Sequence, residues 1–237
     1  MADKDILYLH SSMSDGRQWL ALHRDWPGIL QDLLGYGGAH AMPEQGQFRL
    51  ADEVAQFELP GPVHVCGHSY GGATALHLAA SRPELVRSLC LYEPVAFSVL
   101  AKGSPERDEV ELLASRMQRL SAHDGAAAFV NYWNGSDVFS AMPPRLQDRL
   151  SRQAFAVIRN FESLINEPTD PAVIQVPVRL IVGRRSPASS RAVVAELARR
   201  LPQAEVVEVD AGHMGPVQAP EQVLPHFADF LAEVTGR

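Results

Sequence analysis

Cysteine is nearly absent from this 237-residue chain: Cys66 and Cys90 are the only two. One pair cannot make a disulfide framework, and the paired CxxC spacing of a structural zinc site is missing. Both cysteines lie in apolar stretches, VHVCG and SLCLY, where they read as small buried hydrophobes of a reducing compartment. Lysine is equally scarce, limited to Lys4 and Lys102, and the 21 basic residues are outnumbered by 28 acidic ones, giving a net charge of −7. That balance argues against a nucleic-acid surface or an anionic membrane, which need clustered positive charge. Long hydrophobic runs are missing too, since none approaches the ~18 residues of a membrane-spanning helix. The start, MADKDILYLH, has no basic region followed by a long apolar segment, so it does not read as a signal peptide. The expectation is a cytoplasmic protein.

What is present is a 46% hydrophobic chain, long enough for one well-buried domain or at most two. Short apolar runs alternate with longer helical patterns, which implies βαβ units and a mostly parallel sheet with helices on both faces. Strands are expected at residues 6–9, 28–30, 63–66, 85–92, 178–182 and 204–209. Helices are expected over residues 71–80, 189–200 and 220–234. In the run AVVAELARRL the apolar residues fall on one helical face and the arginines on the other, as in a helix covering a sheet. Residues 98–170 read differently, with helical patterns, no good strand and Gly/Pro punctuation at GSP, HDG, NGSD, MPP and EPTDP. Seven of the 17 aromatics lie between Phe97 and Phe161. This stretch reads as a helical insertion between two strands, not as an independent domain.

The most informative segment is VHVCGHSYGGATALHLAA. A β-like run leads into Gly67-His68-Ser69-Tyr70-Gly71-Gly72, and a small-residue helix follows. This is a G-x-S-x-G turn in the context such a turn requires, strand before and helix after. Ser69 then projects from the strand's end over a helix N-terminus that favours negative charge.

With these residues in view, the chain resembles the α/β-hydrolase superfamily, and the similarity runs nearly end to end. Leu9-His10-Ser11-Ser12 resembles the His-Gly oxyanion loop, DLLGYGG the Asp-x-x-Gly-x-Gly turn, and GHSYGG the nucleophile elbow. SLCLYEP resembles the strand after the elbow helix, VPVRLIVG the strand after the cap, and DAGHMGPVQAPEQV the loop of the catalytic histidine. The resemblance implies an α/β-hydrolase fold with about six strands, formed by residues 1–97 and 171–237. It also implies a helical cap over residues 98–170 and, because the first strand starts near residue 6, no N-terminal hairpin.

It further implies a serine hydrolase, carboxylesterase-like, in which Ser69 attacks a carbonyl and an acyl-enzyme forms. Thioesterase, lactonase and C–C bond hydrolase chemistry stay open. A serine hydroxyl needs an imidazole to take its proton. His213 is assigned that role, because it follows a β-like run (EVVEVD) in a small turn at the rim of the sheet and matches the family's Gly-His position. His68 sits too close along the chain, and His10 is read as shaping the oxyanion loop. The acid departs from the pattern. Where the family carries Asp in Gly-x-x-Asp, this chain has Gly183-Arg184-Arg185-Ser186, and a serine cannot balance an imidazolium. Glu93 is the candidate acid, since some α/β-hydrolases, including a branch of the haloalkane dehalogenases, place a catalytic Glu at the end of this strand. Asp210 is the second candidate, and a dyad or an inactive site is the remaining alternative.

The oxyanion donors implied are the backbone N–H groups of Tyr70 and Ser12. Ser11 replaces the usual glycine beside Ser12, which would strain the loop if its φ were positive. Asp32, in the DLLGYGG turn, reads as structural. Met13, Tyr132, Trp133, Phe139 and Met214 are expected to line a pocket for a small to medium, partly apolar substrate, within a wider set of aromatics (Phe97, Phe129, Phe155, Phe161). No metal or organic cofactor is expected. A small-molecule substrate is the partner expected, for a monomer or homodimer. The alternative from a different class is a non-catalytic small-molecule binder on the same fold.

Overall fold

The computed structural model describes residues 5–166 and 169–237. Residues 1–4, which open the segment read as lacking a signal peptide, and residues 167 and 168, inside the expected cap, lie outside the described residues. Six strands form one sheet: β1 (Ile6–Leu9), β2 (Ile29–Gln31), β3 (Val63–His68), β4 (Val86–Tyr92), β5 (Val178–Gly183) and β6 (Ala204–Val209). Their order is β2-β1-β3-β4-β5-β6 and every pairing is parallel. Each strand falls within two residues of its expected edges.

The helices in chain order are α1 (Leu20–His23), α2 (Leu50–Val54), α3 (Tyr70–Ser81), α4 (Pro105–Met117), α5 (Ala122–Asn134), α6 (Pro144–Arg152), α7 (Ala154–Asn166), α8 (Ala188–Arg200), α9 (Gly215–Gln218) and α10 (Pro220–Thr235). Side chains alternate across the strands and feed two separate cores. Leu7, Leu9, Val65, Leu89, Leu91 and Leu180 pack on the face covered by α3 and α8. Ile6, Tyr8, Cys66, Cys90, Tyr92 and Ile181 pack on the other face, against Phe227, Phe230 and Leu231 of α10. Burial on both faces explains why the strands read as nearly continuous apolar runs. Cys66 and Cys90 are register partners across β3 and β4, both free and buried. Burial pushes both thiols well above their usual range.

The helices α4 to α7 occupy the stretch between β4 and β5, and α7 packs back on α3. Chain direction reverses in strand order between β1, which leads to β2 at one edge, and β3, which starts the walk to the other. The crevice beyond the carboxyl ends of the strands at such a switch point is where parallel α/β sheets bind ligands. Among the described residues no helix is long and apolar enough to cross a membrane.

Candidate active site

β3 runs into the turn at Ser69, and α3 begins one residue later. Ser69 has φ 56° and ψ −118°, a conformation that a side-chain-bearing residue keeps only when its surroundings force it. Two contacts do so: its N–H donates to Tyr92 O (3.0 Å) and its C=O accepts from Val95 N–H (3.3 Å). The glycines permit the close approach behind it. A Cβ built on Gly71 would lie 2.5 Å from Leu9 O and His10 O, and one on Gly67 would lie 2.8 Å from Gly72 Cα.

Three non-glycine residues among those described have positive φ: Met13 (59°), Ser69 (56°) and Glu93 (43°). Ser69 and Glu93 directly follow β3 and β4, and Met13 lies in the loop after β1. Strain gathered in this way is a mark of functional sites.

His213 lies in the loop between β6 and α9, 2% exposed. Its Nε2 is 2.9 Å from Ser69 Oγ and its Nδ1 is 2.6 Å from Glu93 Oε2. The other carboxylate oxygen of Glu93 accepts from Gly183 N–H at 2.7 Å. The end of β5, where the family pattern expects an Asp, therefore contributes a backbone donor that holds a carboxylate arriving from β4. Asp210 does not reach His213; it is exposed and faces Arg185 at 3.3 Å. Ser186 is buried.

The His213 loop is pinned from beneath. Tyr92 Oη donates to Gly212 O (2.7 Å), Arg185 N–H donates to Ala211 O (3.0 Å), and His68 Nε2–H donates to His213 O (2.9 Å). Burial, with His213 nearby, holds His68 well below the usual imidazole range, which keeps it neutral with its proton on Nε2. His68 thus acts on the loop and not on Ser69, a role its place in the elbow did not reveal. Glu53, absent from the sequence reading, is fully buried and accepts from Tyr70 Oη (2.8 Å) and Leu34 N–H (2.9 Å). It fixes the residue that follows Ser69.

The loop after β1 is anchored by side chains. His10 Nδ1–H donates to Ser11 O (2.7 Å), and His10 Nε2 accepts from Leu33 N–H (3.0 Å). Burial lowers the pKa of His10, consistent with this neutral tautomer. Positive φ falls on Met13 and not on Ser11, so the Gly-to-Ser replacement does not meet the strain that a positive φ there would bring. Ser11 is held instead by Gln18 Oε1, which accepts from both its N–H (3.1 Å) and its hydroxyl (3.0 Å). Asp32 accepts from Gly16 N–H and Gly38 N–H, each at 2.7 Å, and so braces the turn after β2.

Above Ser69 a cavity of about 220 Å³, mouth included, is walled by Ser12, Ser69, Phe97, Phe129, Trp133 and Asn160, with Val95, Val157, Phe161 and Leu164 completing it. Of the five residues expected to line the pocket, only Trp133 does. Tyr132 precedes it on α5 and so points about 100° away around the helix, where its hydroxyl meets Ser189 Oγ at 2.6 Å. Phe139 follows α5 and packs edge-on against His123. Met13 is buried in the core, Met214 is half-buried, and neither reaches the cavity. From the wider aromatic set Phe97, Phe129 and Phe161 line it, while Phe155 is 44% exposed. Trp133 also stacks on the imidazole of His213, with ring centroids 3.9 Å apart and planes at 25°. Asn160 was missed, although its place among Val157, Phe161 and Leu164 on the buried face of α7 is a signal: an amide on an apolar stripe. Among the described residues no group of three or more His, Cys, Asp or Glu side chains is placed to hold a metal ion.

The chain has relatives among known proteins. Residues 6–225 match a family model described as the alpha/beta hydrolase family. The chain is 31% identical to lipase LipV of Mycobacterium tuberculosis, over 92% of this chain and 89% of that lipase. Over 81 residues, 34% of this chain and 31% of the relative, it is 40% identical to a pimeloyl-(acyl-carrier protein) methyl ester esterase of Neisseria meningitidis. The enol-lactonase of Burkholderia xenovorans superposes with a TM-score of 0.73 at 22% identity, covering 96% of this chain and 90% of that one. With a matching model over most of its length and a lipase relative over nearly all of it, the chain belongs to the alpha/beta hydrolase family of enzymes.

Proposed function

We propose that this protein is a serine hydrolase that cleaves an ester or related acyl bond of a small to medium, partly apolar substrate. The observation that carries the reading is the continuous hydrogen-bonded line Ser69–His213–Glu93, at 2.9 and 2.6 Å, in a site almost closed to solvent. In this reading His213 Nε2 takes the Ser69 proton as Oγ attacks the carbonyl carbon, and Glu93 stabilises the resulting imidazolium through Nδ1–H. The backbone N–H groups of Ser12 and Tyr70 receive the negative oxygen of the tetrahedral intermediate. Its collapse passes the proton from Nε2 to the departing alcohol and leaves an acyl group on Ser69. Water, deprotonated by His213, then releases the acid and restores the serine. Residues 98–170 act as a lid whose aromatics enclose the acyl group, and residues 1–97 with 171–237 form the core beneath it.

The names of the relatives support this reading, since lipase, methyl ester esterase and enol-lactonase all denote cleavage between an acyl carbon and oxygen. Apart from the space shared with its mouth, the cavity leaves free room of about 10 Å³, about that of a single water, which favours short acyl chains. A fluorophosphonate probe is expected to label the wild type and not Ser69→Ala, with turnover of short-chain p-nitrophenyl esters lost in the same variant. An unlabelled wild type, with no turnover across that ester panel, would instead favour the non-catalytic binder.

A further inference from the structure

The cavity above Ser69 has apolar walls and no charged residue, yet two of the residues that wall it carry N–H donors that no described residue satisfies. Asn160 is 1% exposed and Trp133 is 5% exposed. Asn160 Nδ2 and Trp133 Nε1 are both buried with no acceptor among the described residues, and both residues wall this one cavity. A buried donor left unmet is costly, which makes each such group a feature that calls for an explanation.

The orientation of the Asn160 amide follows from its neighbours. Tyr36 Oη, 2% exposed, donates to Asn160 Oδ1 at 2.6 Å, and Ser12 Oγ donates to the same oxygen at 2.9 Å. Turning the amide over would set its NH₂ group against both hydroxyls and leave the buried Tyr36 O–H only the partly exposed Ser12 Oγ as an acceptor. The amide oxygen is therefore fully used, and the nitrogen is what the residue has left to offer. Its bond to Ser12, whose backbone N–H is the proposed oxyanion donor, sets it close to where the reacting carbonyl would lie.

We propose that Asn160 is a specificity-determining residue whose amide N–H donates to a neutral oxygen in the acyl chain of the substrate. The class favoured is short acyl groups bearing an ether, hydroxyl or ketone oxygen near the scissile carbonyl. Trp133 Nε1–H is a second donor to the same chain. Anionic acyl groups are disfavoured, because no cation lines the cavity to offset the loss of hydration. This inference rests on the acyl-enzyme reading of Ser69.

The test uses two esters of nearly the same shape, p-nitrophenyl methoxyacetate and p-nitrophenyl butyrate, which differ by an oxygen in place of a methylene. Each kcat/KM is divided by the ester's rate of alkaline hydrolysis to remove intrinsic reactivity. The wild type is expected to favour methoxyacetate by about tenfold or more, as sites with unmet buried donors discriminate against analogues that cannot fill them. In Asn160→Leu the ratio is expected to fall towards one. Asn160→Asp, which keeps an acceptor for the Tyr36 and Ser12 hydroxyls, serves should the leucine variant not fold, and its ratio is expected to fall as well. A ratio near one in the wild type, or one unchanged in both variants, would overturn the proposal while leaving ester turnover by Ser69 in place. No turnover of either ester, together with no fluorophosphonate labelling, would overturn the acyl-enzyme reading and this inference with it.

Discussion

Glu93 and Trp133 approach the imidazole of His213 in different ways, one at its edge and one on its face. The carboxylate meets Nδ1 at 2.6 Å, and the indole lies 3.9 Å above the ring. A neutral imidazole gains little from an aromatic face, whereas an imidazolium is attracted to its quadrupole by about 0.5–2 kcal/mol. If His213 becomes charged in the transition state, Trp133→Leu should lower kcat by about 3- to 30-fold. Trp133→Phe, which keeps an aromatic face, should recover most of that loss; steady-state kinetics on a p-nitrophenyl ester checks both. The sequence made Glu93 legible only through a resemblance, because the end of a strand gives a direction but not a partner. The partner depends on β4 lying beside β5 and on the His213 loop folding over both. Asn160 shows the opposite case: its position on an apolar stripe was readable, but the cavity it faces is formed by residues far apart in sequence.

At the scale of elements, the strand–turn–helix unit around Ser69 places the site, and its tolerance for change is small. Gly71→Ala would force a Cβ into the backbone of Leu9 and His10 at 2.5 Å, with no flexible side chain to yield. The expected cost is about 3 kcal/mol, or about 6–12 °C in Tm, measurable by thermal unfolding, with activity lost at the same time. Strands and sheet-covering helices were legible because burial on both faces and on one helical stripe writes simple periodicities into the sequence. The pocket was not. Adjacent residues on α5 diverge, so Trp133 reaches His213 while Tyr132 turns to Ser189. Which residue of an aromatic run faces the site is set by the helix's rotation about its own axis, and only packing against α7 and the His213 loop fixes that.

For the molecule as a whole, Glu53 couples stability to pH. Burial raises its carboxyl from 4.5 to about 7, against the lowering effect of its bonds from Leu34 N–H and Tyr70 Oη. Between these two values the folded chain keeps a proton that the unfolded chain has released, so stability falls as pH rises through that window. The shift corresponds to about 3 kcal/mol. Urea unfolding of the wild type and Glu53→Gln across pH 4.5–8 should show the wild type losing about that much relative to the variant. A constant difference would mean that Glu53 is ionised throughout. The same whole-molecule frame, a parallel sheet whose strand ends converge at one switch point, is what brings residues 69, 93 and 213 together. The most direct measurement of that convergence is the second-order rate of Ser69 phosphonylation by a fluorophosphonate in the wild type, Glu93→Gln and Asp210→Asn. The expected result is a loss of about 10³-fold or more in Glu93→Gln and a change of about twofold or less in Asp210→Asn. Equal rates in the wild type and a folded Glu93→Gln, or the larger loss in Asp210→Asn, would contradict Glu93 as the acid of the triad.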